Sequence, residues 1–306
     1  MADKPVITWV VKAGATVRRG LTQSTGADII NENWNGVPLG GSPMANADIQ
    51  TAFHDTRFGL NGNNAYLSIV DTGYPHYRVM RHHLPGSYYA ANDYGVSYQP
   101  ILPRAVDHAE MSYWVRFNAG FEWGGGGKLP GFGGNNSKVA YPPAGGAPSP
   151  YGFTSRPMWR AKPGFSGGID GKIELTAYLY LPNLPSGTYG IDRHTGVVLG
   201  DKNGFSDGTW RHVKQILKMN TSMVSNNNID PATLVQGTDY LADGVHEVWV
   251  DGVRVWQKTD EVWRFYSDVH ITRMHWSIFR GGGDSSWSAG TAGDVDIASL
   301  SVRALS

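Results

Sequence analysis

The chain contains no cysteine. That excludes a disulfide framework and any thiolate-ligated metal site, and it is compatible with cytoplasm, a bacterial extracellular space or a virion. Net charge is absent too, with Lys+Arg and Asp+Glu at 26 each. A chain without a broad basic field is not a general binder of nucleic acid or of membrane surfaces. A local basic cleft for an acidic substrate remains open to it. No apolar run is long enough to span a bilayer, and the opening MADKPVITWVVKAG lacks the apolar stretch of a signal peptide. Internal repeats, a disordered tail and sustained helical periodicity are missing as well.

What is abundant is an unusual mixture of 40 glycines, 17 prolines, 11 tryptophans and 15 tyrosines. Glycine and proline punctuate turns, whereas the aromatics favour strands and flat, sugar-like ligands. Of the 306 residues 41% are hydrophobic, enough for a large core, and all-β domains often reach this length undivided. The expectation is a single domain over 1–306, with residues 1–50 an N-terminal segment of less definite pattern.

Alternating segments separated by turn clusters predict strands at Tyr66–Asp71, Tyr77–His83, Glu110–Phe117, Gly152–Ala161, Lys172–Leu181, Arg211–Asn220, His246–Trp256, His270–Arg280 and Asp294–Arg303. Short helices fit Asn46–His54 and, behind an Asp cap, Asp230–Val235. The run VWVDGVRVW reads as a hairpin turning at Asp251-Gly252. Residues 120–134, 141–151, 184–208 and 221–240 read as loops. The fold class that follows is all-β: a two-sheet antiparallel jelly roll, a lectin-like sandwich with a concave substrate cleft.

Residues 124–134, GGGGKLPGFGG, set one lysine between two glycine runs. A nucleotide-phosphate loop would need Ser or Thr after the lysine and then a helix. Leu129-Pro130-Gly131 follows Lys128 instead. The glycines are expected to let a bulky ligand approach Lys128; a solvated loop lysine is the bland alternative. In KIELTAYLYLP, Leu175, Ala177, Leu179 and Leu181 share one face of a strand, and Glu174, Thr176, Tyr178 and Tyr180 share the other. Two such tyrosines are common on the rim of any β-protein. In PMWRAK, Met158 and Arg160 lie on one face, and a lone arginine is commonly a salt-bridge partner.

Taken in order, GGKLPGFGG, MWR and YLYLP resemble the jelly-roll polysaccharide lyases of families fourteen and twenty, the alginate and glucuronan lyases. The similarity runs from about Tyr77 to the C-terminus, framed by YWVRF, DGTWRHV and VWVDG. The resemblance implies an active site built from the loop lysine, a Ser-x-Arg pair and a Tyr-x-Tyr pair. Residue by residue these are Lys128, Arg160, Tyr178 and Tyr180. The serine position holds Met158, so a hydroxyl contact to substrate is missing there.

The implied reaction is β-elimination on a polyuronate such as alginate, polymannuronate or glucuronan. It removes the C5 proton beside a carboxylate and expels the sugar at C4. Cations must neutralise that carboxylate, a part suited to Lys128 and Arg160, with Tyr180 as base and acid and Tyr178 orienting it. His83 is a further catalytic candidate. Arg81, His82, Glu174, Arg280 and Trp287 are candidate substrate contacts, although sheet-bound histidines and turn glycines explain YRVMRHHLPG and SIFRGGGDSSW equally well.

A glycoside hydrolase would need two neighbouring carboxylates, and no E-x-D-x-x-E pattern occurs. RHH lacks the spacing of a zinc helix. No cofactor is expected, and a structural calcium would leave no mark in the sequence. The expected partner is an acidic polysaccharide, with no nucleic acid and no membrane, and the chain is expected to be a monomer. Such a substrate favours a secreted or virion-associated protein. The competing function is a non-catalytic carbohydrate-binding or phage-tail-type module on the same fold.

Overall fold

Period-two alternation dominates the chain, clearest in HAEMSYWVRF, where every second side chain is buried. The computed structural model describes residues 27–40, 43–54, 66–73, 75–76, 78–89, 95–161, 169–225 and 227–305. Tyr77, with which one expected strand begins, lies outside them. In chain order the first elements are β1 (Ala27–Glu32), α1 (Asn46–Phe53), β2 (Leu67–Asp71), β3 (Arg78–Leu84), β4 (Val96–Tyr98), β5 (Ile101–Val106) and β6 (His108–Phe117). Then come β7 (Gly126–Lys128), β8 (Gly131–Asn135), β9 (Gly152–Ala161), β10 (Lys172–Tyr180) and β11 (Ile191–Asp201). The last are β12 (Trp210–Lys218), β13 (Gly244–Val250), β14 (Val253–Glu261), β15 (Ile271–Arg280) and β16 (Gly293–Ala304).

Among the described residues every pairing between these strands is antiparallel, and the strands form two sheets. The first runs β14-β13-β12-β6-β16-β3-β2, with β1 also on β16. The second runs β11-β10-β9-β7-β15-β4, with β8 between β9 and β15 and β5 on β15. This is the two-sheet jelly roll that the alternation predicts. Its core lies between the inner faces, where Leu175, Ala177 and Leu179 of β10 join Met111, Tyr113 and Val115 of β6 in one apolar cluster. Ser155, Gln215 and His246 place a buried polar contact within it.

Turn chemistry explains the hairpin β13–β14. Asp251 and Gly252 have φ of 50° and 82°, both left-handed as the tight hairpin turn requires. Helix α1 packs Phe53 edge-on against Trp276 at 4.9 Å and ends at His54 in the left-handed conformation. Asp230 caps a single 3₁₀ turn, Pro231–Thr233.

Two segments expected to be loops are strands. Residues 191–201 form the edge strand β11, and β7 and β8 run through the glycine-rich stretch. The glycines there do not clear space for a ligand. A Cβ on Gly127 would lie 2.2 Å from the Trp159 ring and 2.3 Å from the Phe279 carbonyl; on Gly131 it would lie 2.1 Å from the Ser155 carbonyl. The chain's own backbone fills the space.

Candidate active site

Strand parity fixes which side chains meet. On β9 the odd residues Phe153, Ser155 and Trp159 point into the sandwich. Thr154, Arg156, Met158 and Arg160 therefore point out of it. Antiparallel register sets Tyr178 beside Arg156, Thr176 beside Met158 and Glu174 beside Arg160. On the other flank Lys128 sits opposite both Met158 and Phe279. The outer face of the second sheet thus collects Lys128, Arg156, Met158, Arg160, Tyr178 and Tyr180, and surrounding loops bury all of them except Arg160.

The contacts are close. The Tyr178 and Tyr180 hydroxyls are 3.3 Å apart. The Lys128 ammonium nitrogen lies 4.8 Å from the Tyr178 ring centroid and 5.3 Å from that of Trp287, and donates to the Gly281 carbonyl at 2.7 Å. Tyr180 accepts the Gly146 N–H at 2.8 Å. Trp287 packs over Met158, Tyr178 and Tyr180, with the Arg160 guanidinium 5.1 Å from its ring. Arg160 also pairs with Asp192 of β11 at 2.8 Å.

Arg156 is the residue that sequence reasoning passed over. It is 3% exposed and has no carboxylate partner among the described residues. Its Nη1 is 3.4 Å from both His275 Nε2 and Ser277 Oγ, its Nε meets no acceptor, and its guanidinium lies 5.6 Å from the Tyr178 ring. A buried cation without a counterion is costly unless an anion arrives to meet it. Arg156 has the same parity as Met158 and Arg160, and that was the signal available.

Burial pushes the Lys128 ammonium well below its usual 10.5, and Arg156 and Arg160 push the same way while Asp192 opposes them. Lys128 is thereby driven toward the neutral amine. Burial raises the Tyr178 phenol above its usual 10, so it is a hydrogen donor. Burial, seconded by Arg156, keeps His275 well below 6.5 and therefore neutral. Arginine stays charged even where burial lowers it, leaving permanent positive charge to the guanidinium groups.

Glu174 shares the face, but the Gly196 N–H at 2.7 Å and His194 at 3.1 Å occupy its carboxylate. The other expected residues lie elsewhere. Arg81, His82 and His83 belong to β3, in the opposite sheet. Arg81 grips Asp296 at 2.8 and 2.9 Å, and His83 meets Asp294 at 2.8 Å, both on that sheet's outer face. His82 points into the core, where Trp276 Nε1 donates to it at 3.0 Å. Arg280 has the parity opposite to Phe279 and is turned inward, donating to the carbonyls of Leu84, Pro85 and Glu122. Alternation gives a residue's face, but not which sheet the strand joins. Among the described residues no group of three or more His, Asp or Glu side chains could hold a metal ion.

Beside the cluster opens a cleft of about 680 Å³, with Arg160 and Trp287 in its wall.

Comparison with known proteins bears on this arrangement. Solved structures share the fold. A variant of alginate lyase Aly36B in complex with alginate trisaccharide superposes with a TM-score of 0.67 at 21% identity, covering 90% of this chain and 98% of that one. The PL-14 alginate lyase of the marine Aplysia kurodai gives 0.65 at 21% identity with the same coverage. Alginate lyase vAL-1 from Chlorella virus gives 0.56 at 19%, covering 77% and 88%. No curated protein matches. The sequence model of Polysaccharide lyase 14 matches residues 75–298, so the chain belongs to polysaccharide lyase family 14 and is a polysaccharide lyase.

Proposed function

We propose that the protein cleaves a polyuronate of the alginate type by β-elimination on the outer face of the second sheet. The observation that carries this reading is a buried guanidinium without a counterion, Arg156, beside a desolvated lysine and two phenols. A uronate carboxylate is the anion that such a guanidinium would receive. Neutralising it makes the adjacent C5–H acidic enough to lose, because charge built up by abstraction then spreads onto a paired carboxylate.

Burial favours a different division of labour from the one the sequence suggests. A lysine held toward its neutral amine is a poor neutraliser and a good base. Lys128 takes the C5 proton, the C4=C5 double bond forms, and the C4–O bond breaks with the electron pair leaving on oxygen. The Tyr180 hydroxyl donates its proton to the leaving oxygen. Tyr178 donates to Tyr180 or to substrate. Arg156 supplies the positive charge, supported by Arg160.

The test is to incubate the protein with polymannuronate, polyguluronate and glucuronan and follow the ultraviolet absorbance of the unsaturated product. A rise with at least one polymer is expected. Reducing ends without absorbance, or binding without either, would overturn the reading.

A further inference from the structure

We propose that the cleft beside the cluster is a subsite for the neighbouring uronate of the polymer, held by Lys202 and Phe205. The proposal rests on the polyuronate reading and says where the next sugar lies.

Phe205 is 62% exposed, although the turn carrying it is firmly tied. The Ser206 N–H donates to the Phe121 carbonyl at 3.0 Å, and the Gly120 N–H to the Ser206 carbonyl at 2.9 Å. Phe205 itself bridges to Glu122. A lone exposed ring would need no explanation, but Phe205 lies on the wall of a concave cleft together with a second aromatic, Trp287. Trp287 lies on the wall shared with the catalytic cluster, so the cleft offers two aromatic surfaces, and sugar rings present apolar C–H faces to such surfaces.

Lys202 starts the same turn, its N–H bonded to the Gly171 carbonyl at 2.9 Å. Lys202 lines the cleft and has no ion pair among the described residues. The two carboxylates on the cleft are engaged by their own loops. Glu122 accepts from the Thr291 N–H at 2.8 Å and hydroxyl at 3.0 Å; Asp284 accepts from the Ser286 N–H at 2.9 Å. Lys202 is therefore left to meet a carboxylate from outside. Arg160 and Trp287 belong to cleft and cluster alike, so the cleft adjoins the face that would hold a uronate at Arg156.

The experiment uses defined polyuronate oligosaccharides of increasing length and measures KM for the wild type, K202M, F205A and F205Y. Both K202M and F205A should raise KM for long chains by roughly twofold to fivefold, the scale of one exposed charge pair. The effect should shrink toward nothing for the shortest chain cleaved, and F205Y should restore the wild-type value. Equal KM values at every length, or one loss shared by all lengths, would overturn the subsite. Wild type that releases no unsaturated product from any polyuronate would sink the reading of function; active wild type with length-independent variants would sink the subsite alone.

Discussion

Arg156 and Lys128 divide two properties that the sequence assigns to one kind of residue. Both are cations on paper, yet burial drives the Lys128 ammonium toward its neutral amine while a guanidinium keeps its charge. For K128R, which is always charged and cannot accept a proton, turnover should fall by about 10²–10⁴-fold, the usual scale of general base catalysis. In the wild type, kcat should rise with pH along a limb set by the Lys128 amine, well below pH 10.5, because the amine must first lose its proton. A K128R enzyme with near-native turnover would remove Lys128 as base and return that part to Tyr180.

R156M separates function from stability. It should lower kcat/KM by about 10²–10³-fold, as loss of a preorganised charge partner does. Its melting temperature should hold or rise, since an unpaired buried charge is replaced by an apolar chain of similar length. A fall of several degrees would make Arg156 a structural residue. At this scale Lys128, Arg160 and the tyrosine pair were legible because each sits in a short motif. Arg156 was not, because nothing in TSRPMWR reveals that its neighbours lack a carboxylate. Arg280 was misread as a contact from a glycine-rich loop, whereas it ends β15 one position from Phe279 and faces inward.

Among the elements, β9 and β10, which carry the arginines and the tyrosine pair, came through well. Gly152–Ala161 is found with the expected bounds, and Lys172–Leu181 ends one residue earlier, at Tyr180. Strand β11 was missed because IDRHTGVVLGD is a polar edge strand with two register shifts against β10 and a left-handed Gly196 at φ 75°. The glycine stretch was read as a loop because the physical reason for its glycines lies in other strands. Trp159 and the Phe279 backbone pass too close to Gly127 for a side chain. G127A should therefore destabilise the fold by about 2 kcal/mol or more, as overpacking at a buried backbone contact does. Chemical denaturation reads this directly, and an unchanged midpoint would mean that the strands can part at no cost.

The whole molecule is a sandwich whose core carries histidines, and this gives it an acid limit independent of catalysis. Burial lowers His82 to about 4 and His246 to about 3, so both are neutral in the folded protein. In the unfolded chain each regains an ordinary value near 6.5. Below pH 6.5 the unfolded state takes up protons that the folded state refuses. Stability contributed by neutral histidine is thus complete above 6.5 and falls as the pH drops toward the folded value. Each such group costs at most about 1.4 kcal/mol per pH unit across that window. The buried carboxyls of Asp192 and Glu261, which burial raises, act in the opposite direction, so the total slope mixes both signs. The difference between wild type and H82Q isolates one histidine. Between pH 6.5 and 4.5 the unfolding free energy of H82Q should decline less steeply than that of wild type by about 1 kcal/mol per pH unit. Parallel lines would mean that His82 takes up its proton while folded, and then its place beside Trp276 and the Val295 carbonyl would have to tolerate a charge.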